Sequence, residues 1–219
     1  MALNAADRRF ALCLGAIALA GLALRLGMRL AVGVKRYWSD GYTLYAELAQ
    51  GIAGGYGYAF PGEPPTALRV PLYPLFIAVI TGGPDHAWLL IAAQAVLSSG
   101  TAVLAGLIAR RMGGDAAGLL AAAILAAWPY SAWHDVSLQE TGLLAFLAAL
   151  ASWLLLVLRE SGRAGLALAA GAVLGLVILA VVSSLVEAGT VSVFEVTMII
   201  AKAVIFLGGS IALGRAVAP

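Results

Sequence analysis

Residues 10–32 read FALCLGAIALAGLALRLGMRLAV. The run exceeds the about 20 apolar residues a helix needs to cross a bilayer. Its only charges, Arg25 and Arg29, fall near its far end. A cleaved leader has a shorter apolar core and a small-residue cleavage site, so the run reads as a retained first span. The whole chain agrees: 63% of residues are hydrophobic and 11% charged, where soluble domains carry about 25% charge. Mean hydropathy is +0.99. Bilayer, not water, is the solvent in which such a chain packs. Arg25 and Arg29 are four apart and share a helix face. Either they snorkel to the interface or they face an anionic headgroup or diphosphate.

Five further spans follow. They are expected at His86–Ala109, Ala116–Trp133, Thr141–Leu158, Gly165–Val186 and Val191–Val217. Pro74–Thr81 is apolar but too short to cross and reads as a re-entrant or interfacial helix. The fold class expected is therefore all-α: a polytopic membrane protein of six spans, with an external amphipathic interfacial helix after the first. Arg8, Arg9, Arg110, Arg111, Arg159, Arg163 and Arg215 fall on one side; Lys35, Arg36 and Arg69 fall on the other. The richer set marks the cytoplasmic side, so both termini are expected inside. The expected location is a bacterial inner (plasma) membrane. Net charge of +2 and the lack of a dense basic cluster argue against nucleic acid. One cysteine, Cys13, permits no internal disulfide and no zinc set.

Between the first span and the short helix lies an external loop, residues 33–85, whose core is YWSDGYTLYAELAQGIAGGYGYAFPGEPPTALRVPLYP at 37–74. Ser39 has N-cap chemistry, which puts Asp40 in the first turn of a helix ended by Gly54-Gly55. Trp38, Tyr42, Tyr45, Ala49 and Ile52 repeat at helical spacing, with Asp40 and Glu47 opposite. A first-turn aspartate feels the positive end of the helix dipole. It can cap the helix, act as a base toward a hydroxyl, or ligate a divalent cation. Tyr56 and Tyr58 lie in a glycine loop and can anchor at the interface or stack on sugar rings. Arg69, between proline segments, suits phosphate recognition, or a pairing with Glu63 or a lipid phosphate. His134, Asp135 and Glu140 share the same outer face. Glu140 either starts the following helix as an acid should or completes an acidic pocket with Asp40.

Taken in order, Ser39-Asp40-Gly41-Tyr42, Leu48-Ala49, Gly55-Tyr56-Gly57-Tyr58, Pro64, Arg69, Pro71, Tyr73-Pro74, Ala109-Arg110-Arg111-Met112-Gly113, Trp128-Pro129 and Gln139-Glu140-Thr141 resemble the C-type membrane glycosyltransferases. The group most similar is that of glycosyltransferase 39 and the lipid A aminoarabinose transferases. The resemblance covers residues 8–165. It implies hexosyl or aminoarabinosyl transfer from a polyprenyl-phosphate-linked sugar on the external face. Asp40 is then the catalytic or metal-binding aspartate, Glu140 the second acid, and Arg69 the holder of donor phosphate. Tyr42, Tyr56, Tyr58, Glu47 and His134 complete the substrate-binding set, with a divalent metal ion as candidate cofactor at Asp40.

Residues 172–219 resemble a segment of cation/proton antiporters instead, through the run Val173–Val182 and through Phe194-Glu195, Ala201-Lys202-Ala203 and Gly214-Arg215. Those proteins carry two acids just before the run, where this chain has Gly171-Ala172. The chain therefore reads as two modules: an incomplete glycosyltransferase-like unit over 1–165 and a two-helix antiporter-like tail over 166–219. A transporter fragment and a non-catalytic membrane subunit are the alternative functions.

Overall fold

The computed structural model describes residues 4–66, 69, 71–82 and 86–187, and most of these are helical, the longest described connection being that between Ala53 and Leu72. The sixth expected span, the pair Glu195 and Lys202, and most of the antiporter-like tail lie outside the described residues. α1 (Ala5–Val32) forms over the first expected span, started by Asn4, whose side chain accepts from the Asp7 amide. A 3-10 segment, Val34–Ser39, follows, then α2 (Leu44–Ala53) and α3 (Leu72–Thr81). α4 (Ala87–Ala127) comes next, then α5 (Pro129–His134), α6 (Thr141–Ser161) and α7 (Ala164–Glu187). Three helices, α1, α4 and α6, are long and apolar enough to cross a membrane. Much of their outward surface is apolar, including Leu12, Leu19, Leu30, Val96 and Leu120, while arginine, aspartate, glutamine and serine are buried. That inversion fits lipid contact outside and polar pairing within.

α4 is a hairpin of two arms. Gly113 (φ −139°) and Gly114 (φ +77°, ψ −173°) leave helical geometry and turn the chain back, a conformation open to glycine and closed to most residues. The arms pack at backbone distance: a Cβ on Gly118 would lie 2.7 Å from the Gly106 carbonyl oxygen and 3.0 Å from Phe10 of α1. Gly118→Ala is thus expected to cost about 1–3 kcal/mol. Gly15→Ala, with nothing within 4 Å, should be neutral or slightly stabilising. Thermal unfolding in detergent separates the two, and equal midpoints for both variants would refute this packing.

The second arm is shorter than the expected third span. It stops at Ala127, because Trp128 (ψ 112°) precedes Pro129 and a residue before proline is driven out of the α region. Residues 115–127 cover only about 20 Å. α3 forms as the short helix expected, with Pro74 in its first turn.

The two ends of the bundle differ. At one, Arg110 bridges Asp7 (2.6 Å) and Asp115 (2.7 Å), and Arg111 forks onto Glu160. These pairs are partly exposed and each contributes little. The other end gathers the loops, and there both arginines of the ion pairs are buried.

Candidate functional site

The site is built on the last two turns of α1. Arg25 and Arg29 are 1% and 0% exposed, so neither snorkels and neither is open to a headgroup. Each is paired inside the protein. Arg25 lies about 27 Å along α1 from Asp7, so a hydrocarbon layer about 30 Å thick that began at Asp7 would hold it near the far side. A bare guanidinium there is very costly. Its Nε and Nη2 both lie 2.9 Å from Asp135 Oδ2. The remaining donors satisfy the carbonyls of Gly21 (3.1 Å), Ala126 (2.9 Å) and Leu125 (3.3 Å). Arg25 therefore also caps the second arm of α4 where Pro129 cuts it short.

Asp135 is a hub. Besides Arg25 it accepts from Ser131 Oγ (2.8 Å) and from Ser98 Oγ. Gly142 at the head of α6 leaves room for it, since a Cβ there would be 3.0 Å from Oδ1. One carboxylate thus ties α1, α4 and α5 together and sits against the head of α6.

One turn further, Arg29 Nη1 donates to Asp40 Oδ2 (2.6 Å) and to the Val136 carbonyl (3.4 Å), and Nη2 to the Gly33 carbonyl (2.6 Å). Its Nε is buried without a hydrogen bond. Arg29 takes one oxygen of Asp40. The Asp40 side chain keeps 24% of its surface exposed.

Asp40 is not in a helix. The 3-10 segment ends at Ser39, whose hydroxyl donates back to the Arg36 carbonyl and so caps nothing. Asp40 is extended, Gly41 has φ +102°, and α2 starts only at Leu44. The expected helix start at Ser39, and with it the dipole effect on Asp40, is corrected by this geometry. Glu47 stays exposed on α2 and does not share a helix face with Asp40. The reason is long-range: the Leu138 amide donates to the Asp40 carbonyl (2.9 Å) and the Tyr42 amide to the Leu138 carbonyl (3.1 Å). Gly41 and Leu138 thereby form a single parallel bridge between the two loops. The bridge outcompetes a helical turn because it satisfies both backbones at once.

Beneath this bridge lies Gln94, 1% exposed. Its Oε1 accepts from Tyr37, and its Nε2 faces Tyr73 Oη (3.0 Å) and the carbonyls of Ser137 (3.1 Å) and Gln139 (3.2 Å). Burial pushes the Tyr37 phenol above its ordinary value, opposed in part by Tyr73 and by the Arg29 charge. Tyr73 is raised in the same way, first by burial and then by Tyr37 and the Glu140 charge. Both therefore remain neutral hydrogen-bonding groups at physiological pH.

Among the sequence candidates, Asp40 and Glu140 are carried by segments that run side by side. Glu140 flanks Tyr73 closely enough to act on its ionisation, and its Oε2 is buried without a hydrogen bond. The Arg69 guanidinium lies 5.5 Å from the Tyr42 ring and 5.9 Å from the Tyr45 ring, and Tyr45 in turn meets Tyr73 edge-on at 5.0 Å. Tyr58 donates to the Arg69 carbonyl (2.6 Å) and fixes that loop. Tyr56 projects to the outside, 67% exposed. His134 turns to Gln139 (Nδ1 to Oε1, 2.5 Å) and Tyr130 (rings 4.1 Å apart).

The described residues contain no group of three or more His, Cys, Asp or Glu side chains placed to hold a metal ion. Asp40 already spends one oxygen on Arg29.

The sequence alone marks Asp135 only as one polar residue of the outer face and singles out neither Gln94 nor Ser98. The available signal was the pair Arg25 and Arg29, since buried cations in an apolar run must find acids. No protein-family model, curated protein or solved structure matches the chain.

Proposed function

We propose that the chain is a glycosyltransferase-like membrane protein that takes its sugar from a polyprenyl-phosphate donor at the Asp40 end of the bundle. One observation carries the reading: the Gly41–Leu138 bridge joins the loops of Asp40 and Glu140. Asp40 directly precedes Gly41, and Glu140 follows Leu138 by two residues. The resemblance named Asp40, Glu140 and Arg69 as acting together, and the Tyr42–Tyr45–Tyr73 cluster links Arg69 to the same patch.

In the proposed step the acceptor hydroxyl oxygen bonds to the anomeric carbon. The bond from that carbon to the donor phosphate oxygen breaks, and its electron pair leaves with the lipid phosphate. The hydroxyl proton passes to Asp40 Oδ1, the oxygen Arg29 does not hold, and the anomeric centre inverts. Arg69 lies toward the donor phosphate.

A second reading, a membrane subunit without catalysis, draws on the Arg29–Asp40 ion pair, which ties α1 to the first loop whether or not chemistry follows.

The test is sugar transfer by the purified full chain from hexosyl and aminoarabinosyl polyprenyl monophosphates, with Asp40→Asn alongside. The wild-type chain should transfer, and the variant should lose roughly 10²–10⁴-fold in rate while remaining folded. Full activity in Asp40→Asn removes Asp40 from the mechanism. No transfer by the wild type with either donor favours the subunit reading.

A further inference from the structure

We propose that Arg25 and Asp135 are positioning residues: they form a clamp that sets the register of the 135–140 segment on the Asp40 loop. Three observations meet in it. Asp135 is 4% exposed and accepts from α1, α4 and α5. The next residue, Val136, offers its carbonyl to Arg29, one turn along α1 and the same residue that holds Asp40. Two residues on, Leu138 forms the bridge to Gly41. Arg25 thus fixes where the segment starts, Arg29 grips both loops, and the bridge sets their register.

In a sheet, register comes from a hydrophobic pattern repeated along a strand. A single bridge has no such repeat. The register here is set from its end, by an ion pair and two serines. Among the described residues, the hydrogen bonds of the pair and the serines go elsewhere than the Asp40 carboxylate; they act through the backbone. The consequence for catalysis rests on the proposed glycosyl transfer. The consequence for loop structure does not.

The test uses the full chain in lipid nanodiscs with Cys13→Ala and a reporter thiol, Ser137→Cys. Ser137 is 2% exposed and its hydroxyl meets the Trp133 carbonyl, so a thiol fits and is shielded. The readout is the rate of labelling by a membrane-impermeant maleimide. Arg25→Met with Asp135→Leu removes both charges together, and such apolar replacements of buried pairs are commonly tolerated. This double variant should fold, keep its helical circular dichroism, and label at least about tenfold faster. Without the reporter, its transfer should fall in kcat, with KM for the donor within about threefold.

A double variant that folds and labels like wild type overturns the proposal, because the pair then only neutralises itself. So does a loss of transfer with labelling unchanged. Faster labelling in a chain that never transfers sugar supports the clamp and counts against the glycosyltransferase reading alone. Should the double variant fail to fold, Ser98→Ala with Ser131→Ala keeps the ion pair and removes two hydrogen bonds. It should raise labelling by about threefold, and no change there overturns the clamp equally.

Discussion

Arg25→Met alone should destabilise the protein by about 3–5 kcal/mol. The substitution keeps length and apolar bulk but leaves Asp135 almost fully buried with only the Ser98 and Ser131 hydroxyls to face it. It also strips donors from the Gly21, Leu125 and Ala126 carbonyls. The last two close a helix that cannot continue past Trp128-Pro129. Lipid offers no water to replace these bonds. Arg25→Lys should be milder but not silent. One ammonium keeps the charge and cannot span Asp135 and the carbonyls that the guanidinium fork reaches together. Thermal unfolding in detergent measures both, and roughly 10 °C lost for Arg25→Met is the scale expected for a chain of this size. A loss below about 1 kcal/mol would put the pair on the footing of an exposed salt bridge and refute its burial at membrane depth. The order Arg25→Met worse than the Arg25→Met, Asp135→Leu double variant is equally diagnostic. It says that the cost lies in the stranded carboxylate and not in lost attraction.

Local pattern revealed the helices and missed what joins them. Phe10–Val32 and Thr141–Leu158 are apolar runs of spanning length, and α1 and α6 form there as expected. The α4 turn is equally local, since Gly113-Gly114 between two apolar runs allows little else. The third expected span ran too far, and Pro129 already held the reason. Asp40 is the more instructive case. Ser39 followed by an apolar-periodic stretch has the local signature of a helix start. In the protein the Asp40 carbonyl and the Tyr42 amide are claimed by Leu138, almost a hundred residues away, and no periodicity within the segment records that partner. Arg69 illustrates the same limit: proline spacing marked it as fixed, but only the fold places it beside Tyr42 and Tyr45. The spans follow from composition and length, which are local, and the site depends on pairings between loops, which are not.

Gly41→Ala should therefore disable the site while leaving the spans in place. Two penalties fall on one residue. Gly41 has φ +102°, a region costly for any residue with a Cβ, and an ideal Cβ there would lie 2.6 Å from the Leu138 carbonyl oxygen and 3.1 Å from its carbon. The atoms in the way are backbone and cannot swing aside. The variant must either lose the bridge or drag the 135–140 segment off Asp135. The lower-cost course is to lose the bridge, because the Arg25–Asp135 node is held by several bonds and the bridge by two. Gly33→Ala is the matched control. Gly33 has nearly the same φ, +98°, but nothing within 4 Å of its Cβ position, so it carries backbone strain of about 1–3 kcal/mol without the collision. The Ser137→Cys reporter should label quickly in Gly41→Ala and slowly in Gly33→Ala. If the protein transfers sugar, the first should lose at least about 10²-fold in rate, as expected when reacting groups are misplaced by an ångström, and the second much less. Identical behaviour of the two variants would mean that the left-handed backbone matters and the contact with Leu138 does not, and the pairing of the two loops would no longer be the basis of the site.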